Sequence, residues 1–457
     1  MADSLLKAKD WVMTKVTPEC LRARAEEVKE FAEQNMPKAV DESGGGDGQK
    51  ITEYEAAWNV TNAIQGMFIV SLPYAVYHGG YWAILAMVGI SYICCYTGKI
   101  LVDCLYEEDE RGDRVKVRYS YNEVAQEVFG KKLGGKIING AQLIELLMTC
   151  ILYVVLCGDL LIGAFEYGYI DTRSYMMICG VLLLPCAFLK NLRAVSNLSF
   201  WNGIVHIIIN VLIIGYCLLN IQNWAFSKVS LGVDILSFPI ALGIIVFSYT
   251  SQIFVCTLEE NMQDKTKFHC MMHWSHIAAA AFKAIFGYIG FLNWQEDTQE
   301  VIVNNMNGWF KLLVNLVLVV KALLSYPLPY YAACDLMEHE MFRGKPETRF
   351  PTIWSLDGEL RIWGLGYRIA VIIVTIAFAV VIPHFSILMG FIGNFTGCLL
   401  SFVWPCIFHL YLRRHQMSWL TMCWDIFIIF LGCMFGLFGM YYSGKALQKA
   451  YELGIPV

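Results

Sequence analysis

Residues 62–80 read NAIQGMFIVSLPYAVYHGG, and the fold turns on how this stretch is read. It lies in an apolar run long enough to cross a bilayer, yet it carries Asn62, Gln65, Gly66, Ser71 and Pro73 near its middle. Each of these weakens a helix or exposes a polar group in hydrocarbon, where an unsatisfied group costs several kcal/mol. A plain spanning helix has no use for them.

The bilayer assignment comes from the rest of the chain. Of 457 residues, 57% are hydrophobic and only 16% charged, a balance that belongs to polytopic membrane proteins rather than soluble domains. Apolar runs of spanning length occur at Trp58–His78, Tyr81–Gly98, Ile137–Phe165, Ser174–Lys190, Phe200–Asn220, Leu236–Cys256, Ser275–Trp294, Leu312–Ala333, Gly366–His384, Ser386–Leu412 and Trp419–Tyr442. These are spans one to eleven. The start MADSLLKAKDW has no apolar core of signal-peptide length, so a cytosolic amino terminus is expected. Charge supports that orientation. Of 34 Lys and Arg, 27 fall on the amino-terminal side and five (Arg173, Lys228, Lys311, Lys445, Lys449) on the other, with Lys283 and Lys321 inside spans. The carboxyl terminus then lies on the far side.

Residues 1–50 read as a largely flexible tail ending in SGGGDG, with Leu21, Ala25, Val28 and Ala32 at helical spacing. Residues 51–442 form the membrane domain and 443–457 a short far-side tail. In SYNEVAQEVFG, 120–130, Ser120 and Glu123 make a capping box and Gly130 a stop, which predicts a helix along the cytosolic face. The 16 cysteines avoid the far-side loops, so no disulfide framework is expected. The triplets NVT, NLS and NFT lie in spans or on the cytosolic side and do not read as glycosylated. There is no nucleic-acid patch, zinc-ligand spacing, phosphate loop or nucleophile elbow, so metal, hydrolase and nucleic-acid readings have no motif behind them.

Span six repeats the oddity of span one. It carries Pro239 and Gly243 and then FSYTSQ, 247–252. Five spans separate the two starts, and a repeat of odd span number must insert upside down the second time. Spans one to five and six to ten therefore read as an inverted pair, with span eleven added. Interrupted helices at matching positions of two halves are the best sequence pointer to a transporter site. An unwound helix presents amides that attract a carboxylate and carbonyls that attract an ammonium. An amino acid carries both.

The stretches WNVTNAIQGMF, LPYA, CYTGKIL, ELLMTCILYVVL, LPCAFLKNL, GIIVFSYTSQIF, FHCMM, WSHIAA, KALLSYPLP and MGFIGNFTG together resemble the amino acid/auxin permease family, over about residues 52–442. The branch resembled is the one that fills synaptic vesicles. The resemblance implies an all-α, leucine-transporter-like fold and exchange of luminal protons for cytosolic GABA or glycine, with β-alanine as a further cargo. It also implies dependence on a vesicular proton pump, a monomer in the bilayer, no cofactor beyond the coupling proton, and chloride as an open question. Two departures stand out: Ser71 precedes Leu72 where the family has Gly, and FVCTLEENM places Cys256 and Glu260 where it has Pro and Gly. The exit of span six is therefore expected to be less kinked.

By the same resemblance, amides near Gln65, Gly66 and Met67 hold the substrate carboxylate, carbonyls near Asn62 and Ala63 face its amine, and Ile64 completes the unwound turn. Phe247, Ser248, Tyr249 and Thr250 close the pocket from span six. Close helix packing is the rival use of Gly66.

Glu145 sits about two turns inside span three. A carboxylate at mid-span is functional by default because the bilayer makes it expensive. It suits the exchanged proton or the substrate ammonium, since burial favours its neutral form and a bound ammonium its charged one. Lys283 and Lys321 sit near span centres and suit a pair with Glu145, a carboxylate ligand or a chloride. Ser325 and Tyr326 follow Lys321 at a proline-marked end. Tyr153 follows Glu145 by two turns and reaches toward the pocket or packs. Asp159 reads as a vestibule charge, and His78 and His384 cap far-side ends where an acidic lumen would charge them. His206 reads as a packing group. The rivals to a vesicular antiporter are a sodium- or proton-coupled neutral amino acid carrier of the plasma membrane or lysosome in the same family, an amino-acid-sensing receptor on that fold, and a polytopic membrane enzyme or a channel.

Overall fold

The computed structural model describes residues 51–64, 66–109, 114–131, 133–165, 170–189, 193–343, 348, 350–354 and 360–452. The tail at 1–50 and Gln65 lie outside these, and of Asn62 and Ala63 only the helical backbone is described.

All eleven apolar stretches coincide with helix, whole or broken. Span one is α1, Glu53–Ile64, followed by a 3₁₀ turn at Met67–Ser71. It continues into the front of α2, Leu72–Asp103, with Pro73 in the first turn, where its missing N–H costs nothing. α2 turns at Gly80 (φ 53°), and the remainder is span two. Only glycine serves there, because a Cβ would stand 2.1 Å from the Ser230 carbonyl oxygen. Spans three to five are α4, Gly134–Ala164; α5, Thr172–Leu183, with a 3₁₀ extension; and α6, Arg193–Leu219.

Span six is α7, Phe238–Tyr249, and α8, Gln252–Asn261. Span seven is α9, Phe268–Trp294. Span eight is α10, Gly308–Ser325, and α11, Pro327–Met341. Span nine is α12, Ile362–Val381. Span ten runs α13, Phe385–Ile392, then two π-helical turns, Gly393–Gly397 and Leu399–Val403, then α14, Trp404–Leu412. Span eleven is α15, Trp419–Glu452. Among the described residues eight helices are long and apolar enough to cross a membrane, and Thr172–Phe188 and Gly203–Leu219 are shorter apolar helices. The chain is an all-α polytopic membrane protein.

Packing sorts the helices into two groups. Spans one, two, six and seven pack on one another, and spans three, four, eight and nine do the same, with span ten against six and eleven. Spans six and ten meet backbone to backbone: a Cβ on Gly243 would stand 2.1 Å from the Gly390 oxygen, and one on Gly393 would stand 1.9 Å from the Gly243 oxygen. Asn394 donates across this seam to the Pro239 carbonyl at 2.9 Å.

At the end where α1 begins, the near end, Ile51 pairs with the chain after α8 through the Asn261 carbonyl and the Gln263 amide. Buried Glu259 accepts from Tyr106 and from Lys116 at 2.8 Å. Arg368, 2% exposed, bridges Glu338 and the Leu189 carbonyl. The predicted helix at this end is α3, Tyr121–Phe129, capped by Ser120, whose hydroxyl accepts from the Glu123 amide at 3.2 Å. The sequence reading gave no strands, but β1, Tyr106–Glu108, and β2, Arg114–Lys116, pair antiparallel between spans two and three. α15 continues through Ser443 to Glu452, and the Tyr451 hydroxyl anchors its end to the Val381 carbonyl.

Candidate substrate and coupling site

Both interrupted helices are interrupted. α1 ends at Ile64, and Gly66 is extended (ψ 172°) and half-buried, opening the 3₁₀ turn that carries Met67. The Gly66 carbonyl accepts from the Ile69 amide at 3.2 Å. In span six, Thr250 is extended (ψ 114°) between α7 and α8. Its amide closes on the Phe247 carbonyl at 3.2 Å and its hydroxyl on the Val246 carbonyl at 3.2 Å. Proline does not make this break, because Pro239 sits in the first turn of α7. Beyond it α8 runs unbroken past Cys256 and Glu260, as their replacement of Pro and Gly implied.

A buried polar knot holds the second half of span six in place. Gln252, 0% exposed, donates to the Cys94 carbonyl (3.3 Å) and the Thr97 hydroxyl (3.2 Å) of span two. Its oxygen accepts from Ser401 of span ten (2.7 Å) and from the Ser251 amide (3.0 Å).

Glu145 is buried, with Thr396 of the first π-turn beside its carboxylate and no hydrogen-bond partner for Oε2 among the described residues. The next residue, Gly397, approaches Thr250, its Cβ position 3.3 Å from that hydroxyl. The acid is thus one packed turn from the span-six break. It does not pair with Lys283. The Lys283 Nζ, on a side chain 0% exposed, donates to the Ser248 carbonyl and, at 3.1 Å, to the Ser248 hydroxyl, and lies 3.7 Å from the centre of the Tyr249 ring. Lys321 is buried on span eight, with no carboxylate within salt-bridge distance among the described residues. Its carbonyl accepts from Ser325 at 2.9 Å.

Tyr153 reaches the span-one break, where its ring centre is 5.1 Å from that of Phe68. Phe68 also meets Phe247 at 5.2 Å and Phe385 at 6.1 Å, so spans one, three, six and ten contribute one ring each. The sequence reading missed Phe68 and Phe385, which look like any apolar residue until the breaks converge on them. It also missed Thr396, which enters there only within the NFT triplet and the MGFIGNFTG stretch.

The far-side candidates are Asp159, His78 and His384. Asp159 is buried; its carbonyl accepts from Asn304 at 3.0 Å, and its Oδ1 has no partner among the described residues. Glu300, another unanticipated residue, accepts from the Ser71 hydroxyl on its carbonyl (2.7 Å) and from the Ser386 amide on its carboxylate (2.9 Å). Ser71, where glycine was expected, therefore ties span one to the loop at 295–307. His78 packs edge-on to Tyr74 at 4.5 Å, and His384 edge-on to Tyr451 at 5.9 Å. Burial and then the nearby Arg173 hold His384 below the usual imidazole range. His206 pairs with Asn210 at 3.0 Å, as a packing group does.

A broken helix pair with a buried acid beside it is carrier architecture, and the comparisons agree. Residues 49–444 match the family described as Transmembrane amino acid transporter protein. The chain belongs to that family. It is therefore an amino acid transporter, not an enzyme. It is 47% identical over 414 residues to the human vesicular inhibitory amino acid transporter, covering 90% of this chain and 79% of that one. It is 46% identical over 414 residues to the vesicular GABA transporter of Caenorhabditis elegans, covering 90% and 83%. A solved sodium-coupled sialic acid symporter, in a substrate-bound outward-open state, aligns over 93% of this chain and 94% of its own at 12% identity and a TM-score of 0.48, too slight a likeness to place any residue.

Proposed function

We propose that this transporter is a proton-coupled antiporter that loads GABA and glycine from the cytosol into an acidic synaptic vesicle. The near end faces the cytosol and the far end the lumen. The scaffold is a five-plus-five inverted repeat of the leucine-transporter kind with an eleventh helix. The grouping of spans one, two, six and seven against three, four, eight and nine supports this, since membership recurs after five spans. The names of the vesicular relatives support the cargo class and compartment.

The observation that carries the mechanism is Glu145, buried with an open oxygen one turn from the span-six break. The substrate carboxylate sits on the amide end of the span-one break at Gly66 and Met67, and its amine lies toward the Asn62 and Ala63 carbonyls. Tyr153, Phe68 and Phe247 roof it on the luminal side. The same Glu145 carboxyl takes a proton from the lumen when the amine is gone and releases it when the amine returns, which makes the two exchange. Alternation is a rocking of the spans-one-two-six-seven group against the other.

The test is uptake of labelled GABA, glycine, β-alanine and glutamine into proteoliposomes, with pH, voltage, sodium and chloride gradients imposed separately. An acid interior should drive GABA and glycine uptake with sodium absent. Uptake that needs a sodium gradient, or binding with no flux under any gradient, overturns the reading.

A further inference from the structure

We propose that Lys283 is a tethered cation that occupies the carbonyl end of the span-six break, where a coupling metal ion would otherwise bind, and so frees substrate binding from sodium. The proposal rests on the carrier reading above and assigns the ion chemistry of the same site.

In an unbroken helix the Ser248 carbonyl would accept the amide of residue 252. The extended Thr250 removes that partner and leaves the carbonyl at the negative end of α7. The Ser248 hydroxyl gives its proton to the Ile245 carbonyl at 2.7 Å, so its lone pairs face outward beside that carbonyl. A backbone carbonyl with a hydroxyl oxygen at a helix break is the ligand set that carriers use for small hard cations. Here both oxygens receive the Lys283 ammonium, delivered across the bundle from span seven, and the Tyr249 ring turns its electron-rich face to it.

Two further facts separate this from an ordinary ion pair. Lys283 is wholly buried, and among the described residues no carboxylate lies within salt-bridge distance of it. Its charge is met by oriented neutral oxygens and a ring, the environment that would hold a dehydrated metal ion. A cation arriving at the same oxygens would meet the ammonium at contact distance, so the two exclude each other. Because the lysine is covalently fixed, it supplies the positive charge in every cycle and is never carried across. The flux then has no metal stoichiometry.

The full-length chain is reconstituted, and counterflow of labelled GABA and glycine is followed at one pH on both sides, in sodium or choline medium. Wild type is expected to run at the same rate, within about twofold, in both media. Lys283→Ala is expected to lose more than about tenfold in choline and to regain much of this in sodium or ethylammonium, which refill the space the side chain leaves. Lys283→Met, apolar and long enough to fill that space, is expected to be inactive in every medium while remaining monodisperse. Wild-type counterflow that falls about tenfold without sodium overturns the proposal, as does Lys283→Met working at the wild-type rate. A monodisperse Lys283→Ala that answers to neither cation overturns it too; if that variant does not fold, the wild-type and Met arms decide. Wild type inert in all media would sink the carrier reading instead, which keeps the two failures apart.

Discussion

Thr396 stands beside the Glu145 carboxylate, and it does so from a π-helical turn of span ten. A π-turn widens the backbone by one residue and recurs at functional sites. Here it brings a hydroxyl to one side of the acid and leaves Oε2 without a partner among the described residues. Glu145→Gln keeps the shape and removes the titration. Uptake driven by a pH gradient should be abolished, while the thermal midpoint in detergent stays close to wild type. A Gln variant that still accumulates substrate against a gradient in response to pH would refute the coupling role.

Glu300 sets a second pH dependence, outside the spans. Desolvation under the far-end loop pushes its carboxyl above the ordinary 4.5, by more than its bonds from Ser386 pull it down. A raised value in the folded state means the docked loop holds the proton more tightly than the unfolded chain does. The stability it contributes is complete below 4.5 and is lost as pH rises through the raised value. Acid should therefore favour the docked loop, with a slope of at most about 1.4 kcal/mol per pH unit for one proton. The difference in thermal midpoint between wild type and Glu300→Gln, followed from pH 7 downward, isolates this effect from other groups. A difference independent of pH would show that Glu300 keeps its ordinary titration.

The parts of this architecture that depend on local chemistry were legible in the sequence. Runs of bilayer length announced the helices, Asn62 to Gly66 and the SYTSQ stretch announced the breaks, and Ser120 with Glu123 announced α3. What was hidden depends on partners far along the chain. A lysine in an apolar helix declares that its burial is expensive, but nothing near residue 283 says that its ammonium will find the Ser248 carbonyl rather than Glu145. Phe68 and Phe385 lacked any mark because the role of an aromatic ring is set by where the helices cross. The β1–β2 pair escaped because its three-residue, charged strands carry no apolar alternation. α15 ran past its expected end because loss of hydropathy ends a membrane run without ending a helix.

The seam between spans six and ten sets a strict steric limit. A methyl group on Gly243 would stand 2.1 Å from the Gly390 carbonyl oxygen and 2.4 Å from Asn394 Nδ2. Backbone on one side and a hydrogen-bonded amide on the other leave nothing flexible to yield. Gly243→Ala should force the helices apart at a cost of about 3 kcal/mol or more, seen as lost monodisperse protein after solubilisation. Gly215→Ala is the control, since its Cβ position has nothing within 4 Å. Equal yields from the two variants would mean the seam is looser than the backbone distances imply.

Phe68 joins the two breaks to spans three and ten. It leaves the 3₁₀ turn of span one and meets Tyr153, Phe247 and Phe385 at ring distances of 5.1, 5.2 and 6.1 Å. Tilted ring pairs at such spacing add about 0.5–1.5 kcal/mol each beyond their buried area. Truncation to Ala should cost about 3–5 kcal/mol in stability, through lost packing and a cavity at the meeting point of four spans. If the cluster is also the roof of the substrate chamber, Phe68→Ala must leak: proteoliposomes preloaded with labelled glycine should lose it faster than wild type with no exchange partner outside. Phe68→Leu, which refills most of the volume without the ring, should recover the greater part of the stability and the seal together. Stability lost without any leak would assign the ring cluster to packing alone and move the luminal barrier outward, to the loop that Ser71 and Glu300 hold together.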